Sequence, residues 1–262
     1  MGVLNVTPDS FSDGGLYLDE QLAIDQGLAM VAAGADIIDI GGESTRPGAE
    51  SPGQEEELRR VIPVVRALRR QCDVLVSVDS SDPVVFKAAA EAGADMLNDV
   101  RALSRPGALE AAVACGIPVC IAHMQGTPAS MQRDPHYDDV VAEVFGFLQQ
   151  LAHKFVNAGL DAGSLILDPG FGFGKTLKHN VDLLRNLHDL VNSGWPVMAG
   201  LSRKSMIGQL LGDPSVAAID RLGGSLALAL QARFEGARIV RVHDVGPTVQ
   251  AFRVMDGLEN CE

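Results

Sequence analysis

Aromatic side chains are scarce in this chain: they make up 5% of its 262 residues, with a single tryptophan. A core must therefore be filled by aliphatic groups, and a hydrophobic content of 47% supplies them. Cysteine is also sparse. Cys72, Cys115, Cys120 and Cys261 form no CxxC pair and no metal-ligand spacing, which argues against a zinc module or a disulfide-knit fold. Reduced thiols fit a cytoplasmic protein. No apolar run reaches the roughly 18 residues of a membrane-spanning helix. The first residues lack the basic-then-apolar pattern of a signal peptide. Positive charge is in deficit too, with 21 Lys and Arg against 34 Asp and Glu and a net charge of -13. That opposes general nucleic-acid binding, which needs a positive surface. A small anion held by a few local cations stays possible.

What is present is one repeating pattern. Short apolar runs stand at 2–6 ("GVLNV"), 36–40 ("DIIDI"), 74–78 ("VLVSV"), 95–99 ("DMLND"), 118–123 ("PVCIAH"), 165–168 ("LILD"), 196–200 ("PVMAG") and 239–243 ("IVRVH"). Between them lie stretches such as "DEQLAIDQGLAMVAAGA" and "EEELRRVIPVVRALRRQ", with apolar residues three and four apart as in amphipathic helices. The runs are continuously apolar, as strands covered on both faces are. Glycine in "AAGAD" and "EAGAD" suits helix C-caps just before a strand. Eight strand–helix units with no linker between them predict a single α/β domain over residues 1–262, a (β/α)8 TIM barrel. A doubly wound open sheet is the alternative.

A barrel places chemistry at the C-terminal ends of its strands, and polar residues gather there. Strand 1 ends in Asn5 and runs into the polar loop "TPDSFSDGG"; strand 2 is followed by "GGESTRPG". Asp79, Asn98, Asp99, His123 and Asp168 close strands 3 to 6, "SRKS" follows strand 7, and strand 8 carries Arg241 and His243. Asp79 could be a helix cap instead of a ligand group. His123 reads more simply as a structural histidine. Arg241 lies in an apolar strand, where a charge needs a partner or a ligand. "DPGFGFGKT" resembles a P-loop but fails it, because Pro169 stands where the first glycine should be. Its alternating glycines read as a loop that lets something approach the backbone.

Asp79, Asn98 and Asp168 suit a flat heterocycle with an exocyclic amine and ring N–H groups. Lys204 could meet a ring oxygen, and Arg241 could stack on the ring face. Asn5, Arg241 and His243 could converge on phosphate, with the Asn5 carbonyl offered to Mg2+. The helix after "SRKS" offers free N–H groups to a carboxylate.

"GVLNVTPDSFSDGG", "IGGESTRPG", "SVDS", "LND", "HMQG", "LDPGFGFGK", "SRKSMIG" and "RVHDV" together resemble, in order and over essentially the whole chain, the signatures of the dihydropteroate synthase family. The resemblance implies a folate-synthesis enzyme that joins 4-aminobenzoate to a dihydropterin methyl diphosphate and releases pyrophosphate. It implies Mg2+ as cofactor, a homodimer, and susceptibility to sulfonamides. Carried over by position, Asp79, Asn98, Asp168, Lys204 and Arg241 would form the pterin pocket. Asn5 would meet the metal beside a diphosphate held by Arg241 and His243. Phe11, Thr45, Arg46, Pro47, Phe173 and Ser205 would hold aminobenzoate, and Asp13 would place negative charge near a pterin cation. The catalytic set would be Asp13, Asp79, Lys204, Arg241 and His243. The polar loops after strands 1 and 2 would close over the site. Members usually carry residues before the first strand, often a hairpin plugging the barrel bottom. Here that strand begins at Gly2, so the expectation is a barrel lacking the plug and marginally stable. Two rivals are weighed. A pterin-dependent methyltransferase would not need "STRPG" or "SRKS". A non-catalytic binder would not need Asn5, Lys204 and Arg241 together.

Overall fold

Eight parallel strands form a ring in the computed structural model, which describes residues 1–7, 16–43, 52–127 and 130–260. β1 (Gly2–Asn5), β2 (Ile37–Gly41), β3 (Leu75–Asp79), β4 (Met96–Asp99), β5 (Val119–Ala122) and β6 (Leu165–Asp168) lie side by side in chain order. β7 (Met198–Ala199) and β8 (Ile239–Val240) make a short pair of their own. Two parallel bridges, Leu167 to Val197 and Gly2 to Val242, join the two sheets. At those seams the Leu167 N–H donates to the Pro196 carbonyl and the Val3 N–H to the Val242 carbonyl, each at 2.9 Å. The ring thus leaves no long open edge, which is the TIM-barrel solution. The open sheet is excluded.

The helices follow in turn: α1 (Leu16–Ala32), α2 (Gln54–Gln71), α3 (Pro83–Ala92), α4 (Ala108–Cys115) and α5 (Val140–Asn157). Two helices, α6 (Leu177–Arg185) and α7 (Leu187–Val191), fill the link after β6; α8 (Ser205–Leu210) and α9 (Leu222–Phe234) fill the next, and α10 (Val245–Glu259) follows β8. Gly34 and Gly93, the glycines of "AAGAD" and "EAGAD", take φ of 96° and 100° just past α1 and α3, the left-handed turn that ends a helix. β7 and β8 are two residues each, shorter than their apolar runs suggest. Backbone pairing nevertheless continues past them, with the Arg241 N–H on the Ala199 carbonyl and the Val242 N–H on the Met1 carbonyl, both at 2.9 Å.

Strand alternation sorts the side chains. On β3, Val76 and Val78 point outward into the layer under the helices, while Ser77 and Asp79 point inward. On β6, Leu165 and Leu167 face outward and Ile166 and Asp168 inward. Each fully buried aliphatic chain contributes roughly 1.5–3 kcal/mol, so the outer layer supplies the stability that a charged interior costs. Inside the ring, Met96, Cys120, Ile166 and Met198 form a small apolar floor with Met1 and Ile239 against it. The polar groups stand above that floor, toward the C-terminal ends of the strands.

Candidate active site

Asp79, Asn98, Asp168, Lys204, Arg241 and His243 line one pocket at that end of the barrel, with Phe171 and Phe173 on its apolar side. The pocket brings together residues spread over five strand ends, as the barrel reading expects. Asp79 is not a helix cap: α3 is capped by Asp82, whose carboxylate accepts from the Val84 N–H at 2.8 Å.

The centre of the pocket is a charge cluster. Arg241 Nε donates to Asp39 Oδ2 at 2.6 Å, and its Nη2 to Asp79 Oδ2 at 2.8 Å. Arg241 therefore has protein partners of its own before any ligand enters. Asp39, absent from the sequence reading, is fully buried in β2 and also accepts from Asn98 Nδ2 at 3.0 Å. The signal was available: Asp39 is a charge inside the apolar run "DIIDI", the same anomaly that singled out Arg241. Burial pushes the Asp79 carboxyl up to about 7; Arg241 opposes that shift and the negative Asp39 reinforces it. Burial is also the chief influence lowering the Arg241 pKa, but Asp39 and Asp79 outweigh it, and the net shift is upward.

Because Asn98 spends its amide N–H on Asp39, its orientation is set, and its Oδ1 has no hydrogen-bond partner among the described residues although buried. Such an acceptor costs about 1–3 kcal/mol unless a donor meets it. Asp168 accepts the Gly170 N–H at 2.7 Å, and burial raises its pKa. Lys204 sits 4.0 Å from the Phe173 ring centroid. Burial lowers its ammonium to about 8, with Asp168 pulling the other way. His243 is held by Ser202, whose Oγ lies 3.0 Å from Nδ1 and accepts the His243 backbone N–H at 3.2 Å. Burial, then the Arg241 charge, lowers His243 to about 4, so at neutral pH it is an uncharged hydrogen-bonding group.

The glycine loop after β6 works differently from a ligand cradle. Gly170, Gly172 and Gly174 all have positive φ, at 67°, 78° and 61°. A Cβ on Gly170 would stand 1.9 Å from the His123 carbonyl oxygen, and one on Gly174 2.7 Å from that of Gln125. What approaches the backbone is thus mainly the segment after β5. Lys175, the near-miss P-loop lysine, turns inward. Its Nζ lies 3.0 Å from His123 Nδ1 and donates to the carbonyls of His123, Gly170 and Phe173 at 3.0–3.3 Å. Burial lowers it to about 7, with the Asp168 charge pulling the other way. It ties the loop carrying Asp168 and Phe173 to β5. His123 is the structural residue expected; burial and then Lys175 drop it to about 3.

Asn5 ends β1 opposite Gly41, where a Cβ would lie 3.6 Å from the Asp79 Cβ and 3.9 Å from Asn5 Oδ1. Asn5 and Asp79 thus both border Gly41 at the rim. No group of three or more His, Cys, Asp or Glu that could hold a metal occurs among the described residues. Ser205 is the first residue of α8, directly after Lys204. Phe11, Asp13, Thr45, Arg46 and Pro47 lie outside the described residues, as do the polar loop tips expected to close over the site.

The sequence matches the pterin binding enzyme family over residues 1–243. It is 54% identical to the dihydropteroate synthase of Escherichia coli strain K12 over 257 residues, covering 98% of this chain and 90% of that one. Two solved structures also match. A Yersinia pestis dihydropteroate synthase in complex with a sulfonamide drug is 49% identical, with a TM-score of 0.93 over 100% of this chain and 94% of that one. The Xanthomonas albilineans enzyme in complex with 7,8-dihydropteroate is 46% identical, with a TM-score of 0.90 over 100% and 94%.

Proposed function

Since the chain belongs to the pterin binding enzyme family, among the dihydropteroate synthases, we infer that it condenses (7,8-dihydropterin-6-yl)methyl diphosphate with 4-aminobenzoate to give 7,8-dihydropteroate and pyrophosphate. It is a transferase of folate biosynthesis and a sulfonamide target. One observation in the site carries the reading. A pocket built around a half-buried arginine keeps a carbonyl acceptor at Asn98 that has no partner among the described residues, and two carboxyl groups, Asp79 and Asp168, beside it. Those groups match the N–H-rich edge of a pterin, while Lys204 faces its ring oxygen.

The chemistry asks little nucleophile activation of the protein. The C–O bond between the pterin methylene and the diphosphate breaks, and its electron pair leaves with pyrophosphate. The aminobenzoate nitrogen then forms the C–N bond and releases a proton. The protein's task is to stabilise separated charge away from water. Arg241, oriented by Asp39 and Asp79, sets a fixed positive charge beside the departing diphosphate. Neutral His243 adds a hydrogen bond there without adding charge. The carboxylates face the ring on which positive charge develops. Asn5 supplies a neutral oxygen at the rim, and with no metal-holding group of carboxylates among the described residues, Mg2+ would be held chiefly through the substrate's own diphosphate; when bound it would neutralise that leaving group. Phe173, and the backbone at Ser205 for the carboxylate, serve aminobenzoate together with Phe11, Thr45, Arg46 and Pro47. Asp13, by the family role carried over to its position, would place negative charge near the pterin cation. Sulfonamides, which mimic aminobenzoate, compete for the same place.

The test is pyrophosphate release from the purified protein with both substrates and Mg2+. Release that depends on aminobenzoate, with dihydropteroate formed, is expected. Lys204→Ala should raise KM for the pterin substrate about tenfold or more, since a charge-assisted bond in a closed site is worth roughly 1.5–3 kcal/mol. Pterin binding without turnover would favour the non-catalytic rival.

The assembly proposed is a homodimer. Phe234, Val254 and Leu258 are 82%, 59% and 67% exposed on neighbouring α9 and α10, an apolar face of the kind a second copy covers. Sedimentation should give a dimer for the wild type and a monomer for Phe234→Asp; a wild-type monomer at micromolar concentration contradicts this. The cytoplasm suits an enzyme whose described cysteines, Cys72, Cys115 and Cys120, are all unpaired. No helix among the described residues is long and apolar enough to cross a membrane.

A further inference from the structure

β7 and β8 pair over only two residues, Met198 with Ile239 and Ala199 with Val240, so the loops that follow them depend on other ties. Side chains supply two in succession. Ser202 holds His243, and Arg203 forks onto the residue after it. Arg203 Nε donates to Asp244 Oδ2 at 3.0 Å and its Nη2 to Asp244 Oδ1 at 2.6 Å. Forked pairs of this kind fix orientation as well as energy. Asp244 stands at the cap position of α10, where an aspartate ordinarily accepts a helix N–H, yet its side chain makes no cap bond. Its carboxylate faces Arg203 instead. Arg203 in turn takes a φ of 59°, which a non-glycine residue keeps only when its surroundings impose it. Those surroundings are the start of α9. The Arg203 N–H donates to Ser225 Oγ at 2.9 Å, and that hydroxyl donates to the Arg221 carbonyl at 2.8 Å. Arg221 Nη1 donates to the Arg203 carbonyl at 2.9 Å, while its Nε and Nη2 both donate to the Val216 carbonyl. Helix α9 sits close on α8: a Cβ on Gly224 would stand 2.2 Å from Ile207 Cγ2. The backbone N–H, the carbonyl and the side chain of Arg203 are thus all fixed, although it does not line the pocket. The next residue is Lys204, which does, with its ammonium over the Phe173 ring.

We propose that Arg203 is a positioning residue for pterin binding: locked between Asp244 and the start of α9, it sets the direction in which Lys204 leaves the loop after β7, and so where the Lys204 ammonium meets the ring oxygen. Arg203 touches no reacting atom; it acts through Lys204. The inference rests on the pterin role of that lysine.

The test compares Arg203→Gly, Arg203→Met, Arg203→Lys and Asp244→Asn with wild type. Glycine is the discriminating choice, because it takes the left-handed φ freely while removing the fork. Arg203→Gly should melt within about 3 °C of wild type, since the relieved backbone offsets the loss of a part-exposed ion pair. Its KM for the dihydropterin methyl diphosphate should nevertheless rise about tenfold with kcat within about twofold, the pattern of a lost contact that ground and transition states share. Asp244→Asn should raise the same KM, and combining it with Arg203→Gly should add little, because both remove one interaction. Arg203→Lys should recover part of what Arg203→Met loses, since it keeps the charge but not the fork. An unchanged KM in Arg203→Gly overturns the proposal. So does a KM that rises only where the melting temperature falls in step, which would mark a general loss of structure. Hydrogen exchange reads the same tether without substrate. In Asp244→Asn, uptake in a peptide covering residues 201–209 should rise while that covering 165–168 stays level. If wild type binds no pterin, the reading of the pocket fails; the exchange difference still decides the tether, and its absence refutes it.

Discussion

Gly170→Ala lowers the melting temperature by roughly 10 °C, the largest drop expected from adding a methyl group at any described glycine. Two costs add. At φ of 67° a non-glycine residue pays about 1–2 kcal/mol. The added Cβ also stands 1.9 Å from the His123 carbonyl oxygen, a backbone atom that accepts from Lys175. It cannot swing aside as a flexible side chain would. Either β5 and the glycine loop separate, stranding the buried Lys175 ammonium, or the loop carrying Asp168 and Phe173 is displaced. The combined loss is about 3–5 kcal/mol, the range of buried-site disruptions, and for a chain this long each kcal/mol moves the midpoint by roughly 2–4 °C. Gly194→Ala is the control. Its φ is 92°, but a Cβ there meets nothing within 4 Å, so it pays the backbone cost alone. Equal melting temperatures for the two variants would show that the contact with His123 is not rigid.

Arg241→Met should cost about 3–5 kcal/mol of stability, because removing one partner of a buried ion cluster strands the other. Turnover should fall by roughly 10²-fold or more, as when a preorganised charge facing a developing anion is deleted. Adding Asp39→Asn to that variant should restore much of the stability and none of the turnover. That split separates the two jobs of Arg241, balancing buried carboxylates and facing the diphosphate. Near-normal turnover in Arg241→Met would sink the pocket assignment; no recovery in the double variant would mean that the stranded charge is not the cause of instability. A pH dependence follows from Asp79. Its folded pKa, raised by burial to about 7, exceeds the unfolded value near 4. The folded chain therefore keeps a proton that the unfolded chain releases, and this group makes stability fall as pH rises from about 4 to about 7. Arg241 is the influence that lowers that pKa, so its removal should extend the fall above pH 7 in denaturation titrations.

The barrel and most of the pocket were legible because both follow from local rules. Eight aliphatic runs, each followed by a helical pattern, have few ways to bury both faces of every strand. A polar residue ending such a run has few neutral explanations once the strand ends are known to converge. So Asp79, Asn98, Asp168, Arg241 and His243 could be read as one site before any coordinates. His123 could equally be set aside as structural. The family signatures sharpened the reading to a pterin and an aminobenzoate.

What tertiary structure alone decided are pairings between distant positions. Arg241 lies 202 residues from Asp39 and 162 from Asp79; only closure of the ring makes them neighbours, and no periodicity encodes which buried charge answers which. The same holds for Lys175, which the failed P-loop match left without a role and whose ammonium ties two loops together, and for the paired Arg101 and Glu43, 58 residues apart. By itself the sequence determined the order of elements, the faces they bury and the end of the barrel that carries chemistry, because each of these depends on residues close in the chain. Which charges neutralise one another, and so which acceptor is left for a ligand, depends on distances across the barrel, and these exist only after folding.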